Sequence, residues 1–132
     1  MANLPELAER DPFATKVILM VEDDPDLSKM LKGMLEIFVS YQVIHAADAS
    51  QALNIVQSVQ PDLFLFDYRL PDIDGLELYQ KLHDSKEFAT IPVLFLSAHA
   101  PKDLLEKRHL PYMSKPFEID ALLQKVDRLL SR

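Results

Sequence analysis

Residues 61–75 read PDLFLFDYRLPDIDG. Leu63 to Phe66 form an unbroken apolar run that ends on Asp67, and a further acidic stretch closed by Gly75 follows at once. So short a run of Leu and Phe, bounded by turn residues, reads as a strand buried on both faces. A carboxylate at the end of such a strand either marks where the chain surfaces or is the group the strand serves. What the other strands end in separates the two readings.

Outward from this stretch, VILMV at Val17–Val21 reads as another buried strand, and Leu27, Met30, Leu31, Met34, Leu35 and Phe38 recur at helical spacing. Gln42–Ala46 (QVIHA) reads as a strand. Asp48 then caps a helix whose apolar line is Ala49, Ala52, Leu53, Val56 and Val59. Asp74 and Glu77 have capping-box spacing, with Asp in place of the usual Ser or Thr, and open a helix from about Leu76 to Ser85. Pro92–Leu96 (PVLFL) forms a fourth strand, Lys102–Arg108 a short charged helix, and Pro111–Ser114 a fifth strand. Ile119, Leu122, Leu123, Val126, Leu129 and Leu130 share one face of a last helix. Residues 1–15, with two prolines and mixed charge, read as a lead-in to a domain over 16–132.

Five short strands alternating with helices imply βαβ units, and hence an α/β fold with a parallel sheet covered on both sides. Right-handed crossovers leave few topologies open. In such sheets ligands sit at the carboxyl ends of the strands. At 132 residues the chain suits one domain. A net charge of −7 disfavours nucleic-acid and anionic-membrane surfaces. No apolar run approaches the length of a membrane span. The lack of cysteine excludes disulfide and thiolate chemistry and fits a cytoplasmic setting. His45, His83, His99 and His109 lack metal-ligand spacing. Two glycines in all leave no phosphate-binding loop of the Walker or dinucleotide kind.

The strand ends carry the chemistry. The first strand runs into Glu22-Asp23-Asp24, the third into Asp67, the fourth into Ser97, and the fifth into Ser114-Lys115-Pro116. Each has an ordinary reading: Asp24 before Pro25 is a helix cap, acids are common where loops begin, hydroxyls are frequent at strand ends, and Pro116 can simply stop a strand. The ordinary readings do not explain why all four meet at one edge. Crowded carboxylates repel unless a cation joins them, and Mg²⁺ binds through one or two carboxylates plus phosphate. A carboxylate can attack phosphorus to give an aspartyl phosphate, whose charge an ammonium and a hydroxyl can stabilise. This chemistry assigns Asp67 as nucleophile, Asp23 as metal ligand, and Lys115 and Ser97 as phosphate contacts.

VILMVEDDPDL, DLFLFDYRLPDIDG, VLFLSA and YMSKPF together closely resemble, in order, the signatures of the receiver domain of two-component response regulators (the CheY-like superfamily). The likeness runs from about Lys16 onward. It implies a flavodoxin-like (βα)5 three-layer sandwich with strand order 2-1-3-4-5. By the same resemblance Asp67 is the phosphoacceptor, Asp23 a direct ligand of Mg²⁺ or Mn²⁺, Glu22 a ligand through water, and the backbone carbonyl of Arg69 the third protein ligand. Lys115 pairs with the phosphoryl group, and the Lys115–Pro116 bond is cis. Ser97 and Tyr112 form the switch, while Ala98 and Arg69 sit where the family tunes phosphoryl access and lifetime.

The resemblance also implies the function. A histidine kinase or histidine phosphotransfer protein donates the phosphoryl group, and a population shift passes the signal to a downstream effector domain or protein. The domain is then no enzyme beyond self-directed phosphotransfer and autodephosphorylation. One segment departs from the pattern: between Ser97 and Tyr112 the chain is about one helical turn shorter than is usual, and His109-Leu110-Pro111 replace the usual Gly-Ala. The fourth helix is therefore expected to be short or irregular, leaving the output face open. The same departure motivates the alternative of a receiver-fold interaction module that signals without phosphate. A phosphohydrolase of the haloacid-dehalogenase type fits poorly, because its nucleophile follows the first strand within a DxD motif.

Overall fold

The computed structural model describes residues 15–38 and 41–131. Residues 1–14 of the expected lead-in lie outside them. Among the described residues ten elements alternate: β1 (Val17–Val21), α1 (Pro25–Phe38), β2 (Gln42–Ala46), α2 (Ala49–Ile55), β3 (Leu63–Asp67), α3 (Gly75–His83), β4 (Val93–Ser97), α4 (Lys102–Lys107), β5 (Tyr112–Ser114) and α5 (Ile119–Leu130). The sheet is wholly parallel in the order β2-β1-β3-β4-β5.

Alternation along the strands divides the core. Leu19, Val21, Phe64, Phe66, Val93 and Phe95 face one side and pack with α2, α3 and α4 through Ala52, Leu78, Leu82 and Leu105. Ile18, Met20, Leu63, Leu65, Leu94 and Leu96 face the other, against Leu31 and Leu35 of α1 and Leu122 and Val126 of α5. All five residues of β3 are buried, as are all five of β4. A central strand covered on both faces needs such an unbroken apolar run. Phe64 and Phe66 stack with ring centroids 5.1 Å apart, and Phe95 meets Phe66 edge-on at 6.4 Å.

The boundaries shift where local chemistry outweighs the apolar pattern. Asp67 and Ser97 are the last residues of β3 and β4 rather than the first after them, because the Tyr68 N–H still donates to Leu96 O at 2.9 Å and the Lys115 N–H to Ser97 O at 2.9 Å. Asp24 caps α1 by accepting from the Asp26 and Leu27 N–H groups at 2.9 and 3.3 Å. Asp74 Oδ1 accepts from the Glu77 N–H at 2.8 Å, so α3 begins at Gly75. α2 ends at Ile55, short of its apolar line: Val56 opens a turn over residues 56–58, and Val59 lies beyond it with its N–H on Ile55 O at 3.0 Å.

The departure between Ser97 and Tyr112 has a defined form. α4 has six residues and ends with the Leu110 N–H donating to Leu105 O at 2.9 Å and the His109 N–H to Glu106 O at 3.0 Å. His109 stands at φ 58. This is a Schellman closure, with His in the left-handed position that usually takes Gly. Leu105 is fully buried beneath it, with Leu110 packed on the same cluster.

β2 is an edge strand, and α1 covers part of that edge. Val43 N–H donates to Glu36 Oε2 at 3.1 Å, while Lys32 Nζ donates to Val43 O at 3.0 Å and to Glu36 Oε2 at 2.8 Å. An ion pair one helical turn apart thus takes up an open donor and acceptor that could template a foreign strand.

Two expectations follow from these ends and edges. Replacing His109 by Gly removes the left-handed strain and should stabilise the domain by about 1 kcal/mol in chemical denaturation; a loss of stability would show that the His side chain itself holds the turn. The Lys32 ammonium, and then the Val43 N–H, hold the Glu36 carboxyl below the usual carboxylate range. A depressed folded-state pKa stabilises fully above the ordinary value and is lost as pH falls through the folded one. Glu36→Gln should therefore melt lower than the parent near neutrality and converge with it on acidification below about pH 4.

Candidate functional site

The register brings the strand ends together. Val21 lies opposite Phe66 on adjacent β1 and β3, so Glu22 and Asp67 emerge side by side. Ser97 lies opposite Ser114 on β4 and β5, which delivers Lys115 to the same edge. The Lys115–Pro116 bond is cis, as the resemblance implies.

Glu22 is buried and held from several directions. Its N–H donates to Ala46 O at 3.0 Å, and its carbonyl accepts from His45 Nε2 at 2.7 Å. Its carboxylate accepts from the Asp24 N–H at 3.0 Å and from Lys115 Nζ at 3.0 Å. Lys115 Nζ also lies 3.3 Å from Asp67 Oδ2. Asp67 is 8% exposed, and its Oδ1 accepts from the Arg69 N–H at 3.3 Å. Asp23 is exposed beside them, and one carboxylate oxygen from each of Glu22, Asp23 and Asp67 falls within 4.8 Å of the others.

The electrostatics follow from this crowding. Burial raises the Glu22 pKa most strongly; the Asp24 N–H and Lys115 pull it down, and repulsion from Asp67 adds to the rise. Burial works against the Lys115 charge, yet Glu22 and Asp67 outweigh it and raise its pKa. Three carboxylates against one ammonium leave two negative charges, which one divalent cation would balance. The donors are all oxygen, the set that hard cations prefer, so these residues fit such an ion.

Of the remaining expected residues, Ser97 ends β4, Ala98 follows it and Tyr112 opens β5. Ser97 is buried, and its Oγ accepts from the His99 N–H at 3.0 Å. Ala98 is exposed beside it. Tyr112 is half-buried, and its Oη donates to Glu106 Oε2 at 2.7 Å, which with partial burial raises the tyrosine pKa. Asp24 stays outside the carboxylate cluster in its capping role.

Sequence reasoning missed three supports. Gly75 packs so tightly that a Cβ there would collide with the Asp67 carbonyl oxygen, while its N–H donates to Tyr68 O at 2.6 Å. His45 braces Glu22 from the edge strand. Asp72 carries bonds across to α2. Only Gly75 had a visible signal, as one of two glycines in the chain.

The profile of the response regulator receiver domain matches residues 18–127. The sensor histidine kinase TmoS of Ectopseudomonas mendocina is 34% identical over 98% of this chain, which spans 13% of that kinase's length. A solved putative response regulator from Chloroflexus aurantiacus superposes with a TM-score of 0.82 at 29% identity, covering 90% of this chain and all of that one. The receiver domain of a sensor histidine kinase from Pseudomonas aeruginosa, with a magnesium ion coordinated in its active-site cleft, superposes with a TM-score of 0.79 at 28% identity over 90% of this chain and 100% of its own. With its parallel 2-1-3-4-5 sheet and acidic strand ends, the chain belongs to the response regulator receiver domain family, the phosphoacceptor signalling modules of two-component systems.

Proposed function

We propose that Asp67 is the phosphoacceptor. An Asp67 carboxylate oxygen attacks phosphorus of a phosphohistidine donor; the P–O bond forms, the P–N bond breaks, and the imidazole leaves to take up a proton. The observation that carries this reading is the Lys115 ammonium lying within reach of Glu22 and Asp67 at the buried end of β3. There it can follow the negative charge as it moves onto the phosphoryl oxygens. Asp23, Asp67, Glu22 and the backbone carbonyl of Arg69 would hold a magnesium or manganese ion, which when bound supplies positive charge against those oxygens. The net charge of the cluster and the magnesium in the Pseudomonas relative support that assignment.

The donor is a histidine kinase or histidine phosphotransfer protein, and the recipient of the signal an effector domain or protein, in the cytoplasm. Chemistry beyond phosphoacceptance is limited to hydrolysis of the chain's own acyl phosphate. Ala98, small and exposed, leaves the phosphoryl group open to water, and Arg69 sets how readily water reaches it. Ser97 and Tyr112 form the switch. For Ser97 Oγ to donate to a phosphoryl oxygen it must turn its hydroxyl proton toward that oxygen, while its lone pair already accepts from the His99 N–H. Tyr112 must give up its bond to Glu106 before it can move inward.

Two outcomes test this. Asp67→Asn should abolish acyl-phosphate formation from Mg²⁺ and a small phosphodonor. Without Mg²⁺ it should raise stability by about 0.5–2 kcal/mol, because one of three crowded carboxylates is removed. Phosphate incorporation into Asp67→Asn would place the acceptor elsewhere. Glu106→Ala removes the bond holding Tyr112 outward and should speed phosphorylation by a small donor severalfold. An unchanged rate would mean that the outward tyrosine does not restrain the site.

A further inference from the structure

The loop between β3 and α3 carries Arg69 past the site. Near its ends it is tied to itself, through the Arg69 N–H on Asp67 Oδ1 and the Gly75 N–H on Tyr68 O. In its middle Asp72 reaches to another element. Asp72 Oδ1 accepts from the Ala49 N–H at 3.1 Å and the Ile73 N–H at 3.0 Å, and Oδ2 from the Ser50 N–H at 3.1 Å and Ser50 Oγ at 3.2 Å.

Helix capping alone does not account for this. α2 already has its own cap, Asp48, whose Oδ1 accepts from the Gln51 N–H at 2.8 Å. The Ala49 and Ser50 N–H groups lie at an open helix end that water could serve. A second carboxylate there adds repulsion with Asp48 and holds a side chain from another loop. What the arrangement achieves is a fixed path for that loop. The Asp72 carboxylate remains firmly ionised in it: slight desolvation opposes its charge, but the Ala49, Ser50 and Ile73 N–H groups hold it below the usual carboxylate range.

We propose that Asp72 is a positioning residue of the phosphoacceptor site, whose tie to the first turn of α2 sets where the loop presents the Arg69 backbone carbonyl to the cation. The proposal rests on the phosphoacceptor reading above. It makes α2 part of the site's support, although α2 contributes no group to the carboxylate cluster. Partners of residues that hold a cation are known to influence affinity strongly even without touching the ion.

The test compares two capping variants of one helix in the full chain. Mg²⁺ titrations followed by the amide NMR shifts of Asp67 and Arg69 read the dissociation constant, and a melting curve reads stability. Both Asp72→Ala and Asp48→Ala should lower the melting temperature. Asp72→Ala should also weaken Mg²⁺ binding by about tenfold, whereas Asp48→Ala leaves it unchanged. Asp72→Asn keeps an acceptor for Ala49 and Ile73 and should fall between Asp72→Ala and the parent. Asp72 is exposed, so its truncation opens no cavity. Should Asp72→Ala nevertheless fail to fold, the comparison rests on Asp72→Asn. Equal Mg²⁺ affinity in the Asp72 variants and the parent, or equal weakening by Asp48→Ala, overturns the proposal. A parent protein that binds no Mg²⁺ instead overturns the phosphoacceptor reading on which it stands.

Discussion

Carboxylate oxygens of Glu22, Asp23 and Asp67 within 4.8 Å of one another set the central constraint on this domain. Two unit charges at that separation repel by about 3–4 kcal/mol at an effective dielectric of about 20. Two of the three groups are buried, where water cannot relieve the repulsion. Lys115, at 3.0 and 3.3 Å from Glu22 and Asp67, offsets part of it. The remainder must be borne by the rest of the structure. Strands β1 and β3 are pinned by fully buried side chains on both faces, so the acids cannot drift apart without breaking the core. The same rigidity keeps the acids crowded at the strand ends.

The direction of the strands turns this constraint into a site. Because every strand is parallel, every carboxyl end faces one edge, and the strands can deliver side chains there together. β5 has only three residues, yet that is enough. The Phe95 N–H donates to Pro111 O at one end, and the Lys115 N–H donates to Ser97 O at the other. Lys115 is thereby fixed by backbone bonds before its side chain makes any contact. A lysine on a free loop would lose more side-chain and backbone freedom on pairing with two carboxylates.

The strands, helices and edge of action were legible because their signals are local or additive. Leu63 to Phe66 is apolar without interruption since β3 is covered on both sides, and Asp74 at capping distance from Glu77 is a short-range pattern. The four strand-end residues were legible once the parallel order was inferred, since topology alone places Glu22, Asp67, Ser97 and Lys115 at one edge. What stayed hidden depends on distant pairs whose members are individually ordinary. Nothing in QVIHA says that His45 will brace the Glu22 carbonyl, and Asp72 in LPDID looks like a turn residue until α2 lies beside it. The ends of α2 and α3 were blurred for the related reason that caps and turns, rather than apolar spacing, decide where the last turn stops.

The shortened segment after Ser97 shows the converse, a local irregularity with consequences at a distance. α4 keeps only six residues, but Leu105 is buried among the helices of one face and the Schellman closure stops the chain sharply at His109. The turn returns the backbone through Leu110 and Pro111 directly into β5, so Glu106 ends within 2.7 Å of Tyr112 Oη. A longer helix would put its last acidic residue elsewhere relative to β5. The short helix therefore does more than shape the surface. There is a contact between the last turn of α4 and the aromatic residue that opens β5, the strand that Lys115 follows. Any rearrangement at Lys115 that moves β5 must act against that contact, and through it on α4. The acidic edge and this face are joined by backbone alone, because Tyr112 opens the three-residue β5 and Lys115 directly follows its last residue.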